Sequence, residues 1–349
     1  MRALGLMSGT SADGVDAAIL ETDGERIQDF GPATTTPYPE SLRAEILAIM
    51  ANPHQAEHDP LTTLEQDLTD TYAAAARPIL DDTVELAGMH GQTLIHRPDR
   101  RYTRQLGNGA ALAAQLGITV IDRFRHADIA AGGQGAPLVP LFHQALLRDI
   151  PGPIAVLNLG GVANITYIDG DTLIAFDTGP ASALLDDWVR TRTGAPFDEN
   201  GALAAAGQIH ASTLAALLEN PYFTRSPPKS LDRNAFPPIT APLSTEDGAA
   251  TLAAFTIHSI ARALEHLPTP PHRWLVAGGG RHNATLMQGL TTTLRSQVDP
   301  VEALGWNGDA LEAQAFAFLA VRALRGLPLS LPTTTGVPYP MPGGRIHVP

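Results

Sequence analysis

Two stretches of alternating apolar and polar residues flank a run of small residues at the start of the chain. Leu4 and Leu6 alternate before the run SGTSADG, and Val15, Ala17 and Ile19 alternate after it. A period of two predicts a β-strand on each side. Because an Asp-Gly pair alone can close such a hairpin, the run is longer than a turn requires. It is either an ordinary long loop or a site whose N–H groups and hydroxyls bind an anion.

A similar pattern returns further along the chain. Residues 153–169 predict a second hairpin with its turn at Gly160 and Gly161, in the sequence PIAVLNLGGVANITYID. Each half therefore begins with a hairpin whose turn is rich in glycine, which is a weak internal repeat. A strand, a third glycine turn and a helix are predicted for RWLVAGGGRHNATLMQGL. A buried helix is predicted for GDALEAQAFAFLAVRALRG, which is apolar on nearly every face.

The predicted elements form an α/β chain of two domains. A length of 349 residues is typical of about two domains. Residues 130–140, AAGGQGAPLVP, are dense in glycine and proline and lack periodicity. We therefore predict an N-terminal domain at 1–133 and a C-terminal domain at 134–349, the last residues of which could return to the N-terminal domain.

Composition and charge narrow the class of protein. Apolar residues make up 44% of the chain and charged residues 17%, as in globular proteins. The net charge of −13 argues against a general nucleic-acid binder, which needs a basic face. The absence of cysteine excludes disulfides, thiolate nucleophiles and cysteine-ligated zinc. The apolar runs are too short for a membrane span or a signal peptide, so we expect a cytoplasmic protein without a membrane or nucleic-acid partner.

The three glycine turns are candidate phosphate sites. Phosphate binds where N–H groups converge and the backbone can approach closely, which favours glycine. No Walker-type GxxxxGKS or GxxxxGKT string occurs, and AGGGRHN does not match GxGxxG, so a dinucleotide fold has little support. Two hairpins in successive halves and a third turn suit a nucleotide bound by two similar domains.

Polar residues near strand ends are candidates for chemistry. Asp177, in FDTGP, follows a predicted strand and precedes a helix, a position suited to a general base or to a structural turn. The partner DTG or DSG string of an aspartic protease is absent. His90, Gln92 and His96, in HGQTLIH, could bind a hydroxylated ligand or complete a turn. Asp309 and Glu312, in DALE, match a capping box with Asp309 as the cap.

Eight strings, in order along the chain, together resemble one known family. They are GLMSGTSADGVDAA, HGQTLIHRP, DIAAGGQGAPLVPLFH, LNLGGVANIT, FDTGPASALLDDW, PYFTRSPPKS, GGGRHNATLM and DALEAQAFAFLAVRALRGLPLSLPTTTG. The chain resembles the anhydro-N-acetylmuramic acid kinases of bacterial cell-wall recycling over essentially its whole length.

The resemblance implies a fold and a reaction. The implied fold is α/β, with two ribonuclease-H-like domains of the actin/hexokinase/Hsp70 type and a nucleotide cleft between them. The implied cofactors are ATP and Mg²⁺, and the implied assembly is a homodimer. The implied reaction opens the 1,6-anhydro ring of the sugar by hydrolysis and transfers the γ-phosphoryl group of ATP to O6, which gives N-acetylmuramic acid 6-phosphate.

The resemblance also implies roles for individual residues. Asp177 matches the family's catalytic base, and Gln92, Arg125 and Glu312 match positions around the sugar. Asp13 or Asp16 would face Mg²⁺. The residues that match ATP-binding positions are Gly9, Thr10, Ser11, Ala12, Asp13, Gly14, Val15 and Asp16 in the first loop, Asn158, Gly160, Gly161 and Asn164 in the second hairpin, and Gly278, Gly279 and Gly280 in the third turn.

The chain departs from the family pattern at three places. The usual DFR is DRFR here, which puts Arg123 where an aspartate is expected and Asp122 one place early. On a strand, a shift of one residue turns a side chain to the other face. FDTGPAS replaces the common FDTGPGN, and PPKSLDRNAF departs from its family pattern. Two other functions also fit: a kinase or phosphatase acting on another small substrate, or a nucleotide-driven switch without one.

Overall fold

The computed structural model describes residues 1–232 and 236–349. Part of the PPKSLDRNAF string, residues 233–235, therefore lies outside the described residues. The chain divides into two compact units. The first unit comprises Met1–Arg148 and Ala310–Pro349, and the second comprises Asp149–Asp309.

The secondary structure alternates between strands and helices. The strands are β1 (Arg2–Met7), β2 (Gly14–Thr22), β3 (Ile27–Pro37), β4 (Leu86–Met89), β5 (Gln92–Arg97), β6 (Tyr102–Leu106), β7 (Thr119–Asp122), β8 (Ile154–Leu159), β9 (Val162–Asp169), β10 (Thr172–Pro180), β11 (Arg273–Ala277), β12 (Gln297–Pro300) and β13 (Arg345–His347).

The α-helices are α1 (Glu40–Met50), α2 (Pro53–His58), α3 (Thr62–Ala76), α4 (Gly109–Leu116), α5 (His126–Ala130), α6 (Pro140–Leu146), α7 (Ser182–Thr193), α8 (Ala202–Ala206), α9 (Ala211–Leu218), α10 (Thr245–Arg262), α11 (Ala284–Leu294), α12 (Leu311–Leu324) and α13 (Pro332–Thr335). Short 3-10 helices lie at Pro98–Arg100, Glu199–Gly201, Pro221–Thr224, Ala263–His266, Gly279–His282 and Val301–Leu304.

The two units share one strand order. The main sheet of the first unit runs β3-β2-β1-β4-β7-β13, and the sheet of the second unit runs β10-β9-β8-β11-β12. In each, the first three strands of the unit pair antiparallel and the next two add in parallel. This is the ribonuclease-H-like arrangement that the family resemblance implies. The predicted α/β class and the internal repeat are confirmed.

Both predicted glycine hairpins are present. β1 and β2 pair from Arg2↔Glu21 to Met7↔Asp16, so the SGTSADG run forms the connection. β8 and β9 pair from Ile154↔Ile168 to Leu159↔Ala163, with Gly160 and Gly161 at the turn. Alternation of period two therefore predicted both pairs of strands correctly.

Helix α12 is buried against the sheet of the first unit, as its sequence predicts. All of its residues from Ala313 to Arg322 are buried. It lies so close to the sheet that a Cβ added to Gly5 would meet the carbonyl oxygen of Ala313 at 1.7 Å. A Cβ on Gly88, in β4, would meet the carbonyl oxygen of Phe316 at 2.3 Å. Glycine in two neighbouring strands is what allows the helix this approach.

The second unit has its own apolar core. Trp274 and Phe176 are completely buried in the sheet. Helix α10 packs on this core, and residues Gly248–Ile257 of its length are all buried. The helix begins at a Ser244 side chain that accepts a hydrogen bond from the Asp247 N–H at 3.0 Å, a regular N-cap.

The units divide at positions other than the predicted boundary between 133 and 134. Helix α6 stays with the first unit, and the chain from Ala310 onward returns to that unit. Phe142 of α6 packs against Phe318 of α12 with ring centroids 5.7 Å apart. This contact helps to place α6 in the first unit. Local composition could not predict it, because the two residues are far apart in the sequence.

No single helix in the described residues is long and apolar enough to cross a membrane. One pair of helices, Glu199–Ala206 and Ala211–Leu218, is long and apolar enough when taken together, but the two helices are bent by 117° relative to each other.

We expect Gly5→Ala to destabilise the first unit. The added methyl group meets helix backbone, which cannot rotate away as a side chain could. Overpacking of this kind costs about 1–3 kcal/mol, and each kcal/mol lowers the thermal midpoint by about 2–4 °C in a unit of this size. Thermal unfolding followed by circular dichroism measures the change. The control is Gly279→Ala, where an added Cβ meets no atom within 4 Å; equal midpoints for both variants would contradict the packing argument.

Candidate active site

The first glycine loop leaves β1 at Met7 and enters β2 at Gly14. The Ala12 N–H donates to the Gly9 carbonyl oxygen at 3.2 Å, which forms a turn inside the loop. Ala12 is buried with a φ of 50°, while Ser11 and Asp13 are exposed. A Cβ on Gly14 would lie 2.4 Å from the Thr36 carbonyl oxygen of β3. The end of the loop at Gly14 therefore packs against β3, while Ser11 and Asp13 are exposed to solvent.

A buried hydrogen-bond network fixes the start of this loop. The Ser8 hydroxyl donates to Oε1 of Gln92 at 2.6 Å, and the Tyr38 hydroxyl donates to Ser8 at 2.9 Å. Nε2 of Gln92 donates to the Gly9 carbonyl oxygen at 3.1 Å. Burial raises the pKa of Tyr38 to about 12, so its hydroxyl keeps the proton that it donates. Gln92 is completely buried and holds the loop; a contact with sugar stays a prediction.

Arg125 is oriented by two fixed acceptors. Its Nε donates to Nε2 of His90 at 3.0 Å, and its Nη1 donates to the Gly135 carbonyl oxygen at 2.7 Å. Burial, and then the charge of Arg125, lowers the pKa of His90 well below its ordinary value. His90 is therefore neutral and able to accept. These bonds set the plane of the guanidinium group.

The carboxylate of Asp128 organises the glycine-rich segment that supplies the Gly135 carbonyl. Oδ1 accepts from the Gly135 N–H at 2.6 Å. Oδ2 accepts from the hydroxyls of Ser330 and Thr335, each at 2.5 Å. A Cβ on Gly133 would lie 2.2 Å from Oδ1, so the segment wraps the carboxylate closely.

In the DRFR string, Asp122 forms ion-pair contacts with the C-terminal strand. Asp122 ends β7 as a buried residue, and its carboxylate contacts Nη2 of Arg345 at 3.2 Å and Nε2 of His347 at 3.0 Å. Arg123 follows it in the left-handed region, with a φ of 57°. Asp122 therefore fastens the C-terminal strand β13 to the sheet.

In the second unit, the hairpin turn rests on the start of α7. The Ser182 N–H donates to the Gly160 carbonyl oxygen at 2.9 Å, and the Ala181 N–H donates to that of Gly161 at 3.0 Å. Asn158 and Asn164 face each other directly across the hairpin. Oδ1 of Asn164 is buried and makes no hydrogen bond within the described residues. A buried polar atom of this kind is suited to a ligand.

The third glycine turn lies directly against this hairpin. A Cβ on Gly278, where φ is 78°, would meet Oδ1 of Asn158 at 2.4 Å and the Leu159 carbonyl oxygen at 2.7 Å. Gly279 has no atom within 4 Å of such a position, so its backbone is open on that side. The structure thus brings two of the three predicted phosphate turns together in one unit.

Arg281 links the third turn to two carboxylates through hydrogen bonds. Its buried guanidinium donates to the Gly278 carbonyl oxygen at 3.0 Å, to Glu302 at 2.9 Å and to Asp309 at 2.8 Å. The capping-box interpretation of DALE is wrong as a result. Helix α12 begins at Leu311 with Ala310 at the cap and no side-chain cap. Asp309 binds Arg281 instead, and Glu312 lies half-buried in the first turn of the helix.

Asp177 lies near the end of β10, where the register with β9 shifts between Asp177 and Gly179. It is 7% exposed. Its Oδ2 accepts from the Leu231 N–H at 2.7 Å, and its own N–H donates to the Lys229 carbonyl oxygen at 3.0 Å. The Tyr222 hydroxyl donates to its carbonyl oxygen at 2.6 Å. A carboxylate fixed in this way suits a general base, which depends on position.

The two aspartates predicted to face Mg²⁺ differ in their surroundings. Asp13 is exposed at the loop tip. Asp16 is half-buried in β2, and its Oδ1 accepts from the Thr35 hydroxyl at 2.6 Å. In residues 1–232 and 236–349, no three His, Cys, Asp or Glu side chains come together as a metal site. An ion at Asp13 or Asp16 would therefore need further ligands such as phosphate oxygens and water, as Mg²⁺ commonly has.

A family model described as Anhydro-N-acetylmuramic acid kinase matches residues 1–348. The chain belongs to this family. The anhydro-N-acetylmuramic acid kinase of Rhodospirillum rubrum is 54% identical over 349 residues, covering 98% of this chain and 93% of that protein. The one from Paramagnetospirillum magneticum is 52% identical over 360 residues, covering all of both chains.

Among solved structures, the similarity is distant. A ROK family glucokinase from Streptomyces griseus, in complex with glucose and AMPPNP, gives a TM-score of 0.44 at 14% sequence identity. It covers 92% of this chain and 99% of that chain.

In this member of the anhydro-N-acetylmuramic acid kinase family, sequence reasoning missed the residues that hold Asp177. Tyr222, Lys229 and Leu231 come about fifty positions later and carry no local pattern that points to Asp177. One signal was present: Lys229 is the only lysine in the chain.

We expect stability to fall as the pH drops from about 6.5 towards 4. Burial, and then the charge of Arg125, lowers the pKa of His96 from 6.5 to about 4. Its Nε2 lies 2.9 Å from the Gln134 carbonyl oxygen, so the neutral ring donates there. The unfolded chain takes up a proton in this window that the folded protein does not, so the free energy of unfolding declines.

His96→Gln should flatten this decline in thermal unfolding scans across the same window, because its amide can donate to Gln134 without titrating. Burial also lowers the pKa values of His90, His126 and His143, so these three residues leave a residual slope in the same direction. An unchanged slope in the variant would contradict the assignment.

Proposed function

We propose that the chain phosphorylates 1,6-anhydro-N-acetylmuramic acid with ATP, opens the 1,6-anhydro ring by hydrolysis and releases N-acetylmuramic acid 6-phosphate. The proposed substrate is supported by family membership over essentially the whole chain. The fixed carboxylate of Asp177 supports the hydrolytic step. The cellular role would be the recycling of peptidoglycan and the catabolism of amino sugars, in the cytoplasm and as a homodimer.

The glycine turns would bind the nucleotide. Residues 9–16 would hold ATP phosphates through backbone N–H groups and the hydroxyls of Thr10 and Ser11. The second hairpin, with Asn164, would contact phosphates as well, and Gly279 would let the backbone approach the adenosine side. Close approach and converging N–H groups are what phosphate recognition requires.

Asp177 would act as the base for the attacking water. Its carboxylate takes a proton from the water as the oxygen forms a bond to C1 of the sugar. The bond between C1 and O6 breaks, and O6 takes the γ-phosphoryl group as its bond to ADP breaks. One base thereby serves both events, and phosphoryl transfer otherwise depends on positioning and charge neutralisation.

The first unit would supply sugar contacts. Guanidinium groups bind carboxylates through two parallel hydrogen bonds, so Arg125, in its fixed plane, would hold the lactyl carboxylate of the muramyl group. Gln92 and Glu312 complete the proposed contacts by family position. Asp13 or Asp16 would hold Mg²⁺, which would neutralise charge on the phosphates.

Incubation with ATP, Mg²⁺ and 1,6-anhydro-N-acetylmuramic acid is expected to yield a sugar that has gained one phosphoryl group (HPO₃) and one water, detected by mass spectrometry. A product that has gained the phosphoryl group without the water would refute the ring opening. Transfer to another small sugar only would indicate a different kinase, and nucleotide binding without any transfer would indicate a switch. Omitting Mg²⁺ should abolish turnover.

Asp177→Asn is expected to lower kcat by at least about 100-fold, the loss of a general base, while ATP binding measured by calorimetry stays the same. The matched control is Asp171→Asn, an exposed carboxylate in the loop between β9 and β10. Near-normal turnover of Asp177→Asn would remove this residue from the mechanism.

A further inference from the structure

Lys229 is the only lysine among the 23 lysines and arginines of the chain. It is 2% exposed. Burial of an ammonium group is costly unless the group has partners, and arginine serves at every other basic position. A lysine offers what arginine does not, a compact point charge with three donors on a flexible stem. A specific function of this one buried ammonium group is therefore expected, and its contacts indicate which.

The partners of the Lys229 ammonium are not carboxylates. Nζ lies 3.2 Å from the Tyr222 carbonyl oxygen, 3.4 Å from that of Phe223 and 3.4 Å from Nε2 of His266. It also lies 4.8 Å from the centre of the Tyr222 ring. No carboxylate forms an ion pair with it in the part of the chain that the structure describes. Two carbonyls, an imidazole and an aromatic face thus share the charge.

The same segment of chain surrounds Asp177. We call residues 222–231 the clamp segment. Its first residue donates from the Tyr222 hydroxyl to the Asp177 carbonyl oxygen, and its last donates from the Leu231 N–H to the carboxylate. Between them, the Lys229 carbonyl oxygen accepts from the Asp177 N–H. Three groups of one aspartate are held by ten consecutive residues.

The geometry points to Lys229 as a positioning residue for Asp177. Its ammonium ties the end of the clamp segment to the carbonyls at its beginning, and this closure keeps the Leu231 N–H on the Asp177 carboxylate. Burial of the clamp segment without these hydrogen bonds would not link its two ends. The inference rests on the proposed role of Asp177 as the base.

The charge on Lys229 is set by several neighbours. Burial first, and then the charge of Arg225, lowers the pKa of Lys229 to about 8, while Glu265 acts in the opposite direction. The other titratable groups that face it are His266 and Tyr222, and burial and Asp177 raise the pKa of the Tyr222 hydroxyl. The ammonium form therefore predominates at neutral pH.

Lys229→Met tests the closure. We expect kcat to fall by at least about 10-fold, because small misplacement of a catalytic group carries penalties of up to about 100-fold. KM for ATP should stay within about twofold, since the glycine turns are untouched. The matched control is Arg190→Met, which removes an exposed positive charge outside the clamp segment and should leave kcat unchanged. Wild-type kcat in Lys229→Met, or an equal fall in Arg190→Met, would overturn the inference.

A measurement on the unmutated protein remains decisive if Lys229→Met fails to fold. Growth on lysine labelled with ¹³C at Cε gives a single side-chain signal, because the chain has one lysine. We expect this signal to titrate near pH 8 instead of near the ordinary value of 10.5. Titration at the ordinary value, with a line as sharp as that of free lysine, would place the ammonium group in water and overturn the closure.

Measuring Asp177→Asn in parallel separates the two proposals. If Asp177→Asn retains activity, the proposed role of Asp177 fails. If Asp177→Asn is inactive while Lys229→Met turns over normally, the proposed function stands and the positioning role of Lys229 is refuted.

Discussion

The structure depends on places where main chain packs directly on main chain. Helix α12 can lie on the first sheet only because Gly5 and Gly88 have no Cβ, which would otherwise overlap the helix carbonyls. In the second unit, Gly278 allows the third turn to pack on Asn158 and Leu159. The same property of glycine therefore builds the scaffold and shapes the candidate phosphate turns.

Around those turns, orientation comes from buried neutral groups. Neutral His90 accepts from Arg125, protonated Tyr38 donates to Ser8, and neutral His96 donates to Gln134. Neutral partners thus orient Arg125 and the Ser8 hydroxyl without placing a further charge beside them. Burial is the common cause, because it disfavours the charged form of each histidine and of the tyrosine.

Local sequence pattern predicted what local forces determine. The strands of the two hairpins and the buried helix α12 follow from periodicity, and the turns follow from their glycine content. The membership of α6 in the first unit does not, since it depends on Phe142 meeting Phe318. Nor does the use of Asp309, whose carboxylate Arg281 binds from 28 positions away. At the candidate site, the place of Asp177 near a strand end could be predicted from the sequence. The clamp segment could not, because tertiary contacts alone bring Leu231 to Asp177.

The return of the chain to its first unit has a consequence for synthesis on the ribosome. The second unit is one continuous stretch, Asp149–Asp309, so all of its residues are synthesised before the segment from Ala310 onward that belongs to the first unit. The first unit lacks the helix that covers its sheet until Leu324 has emerged. The unit whose synthesis begins first therefore receives its covering helix only after the whole second unit has been synthesised.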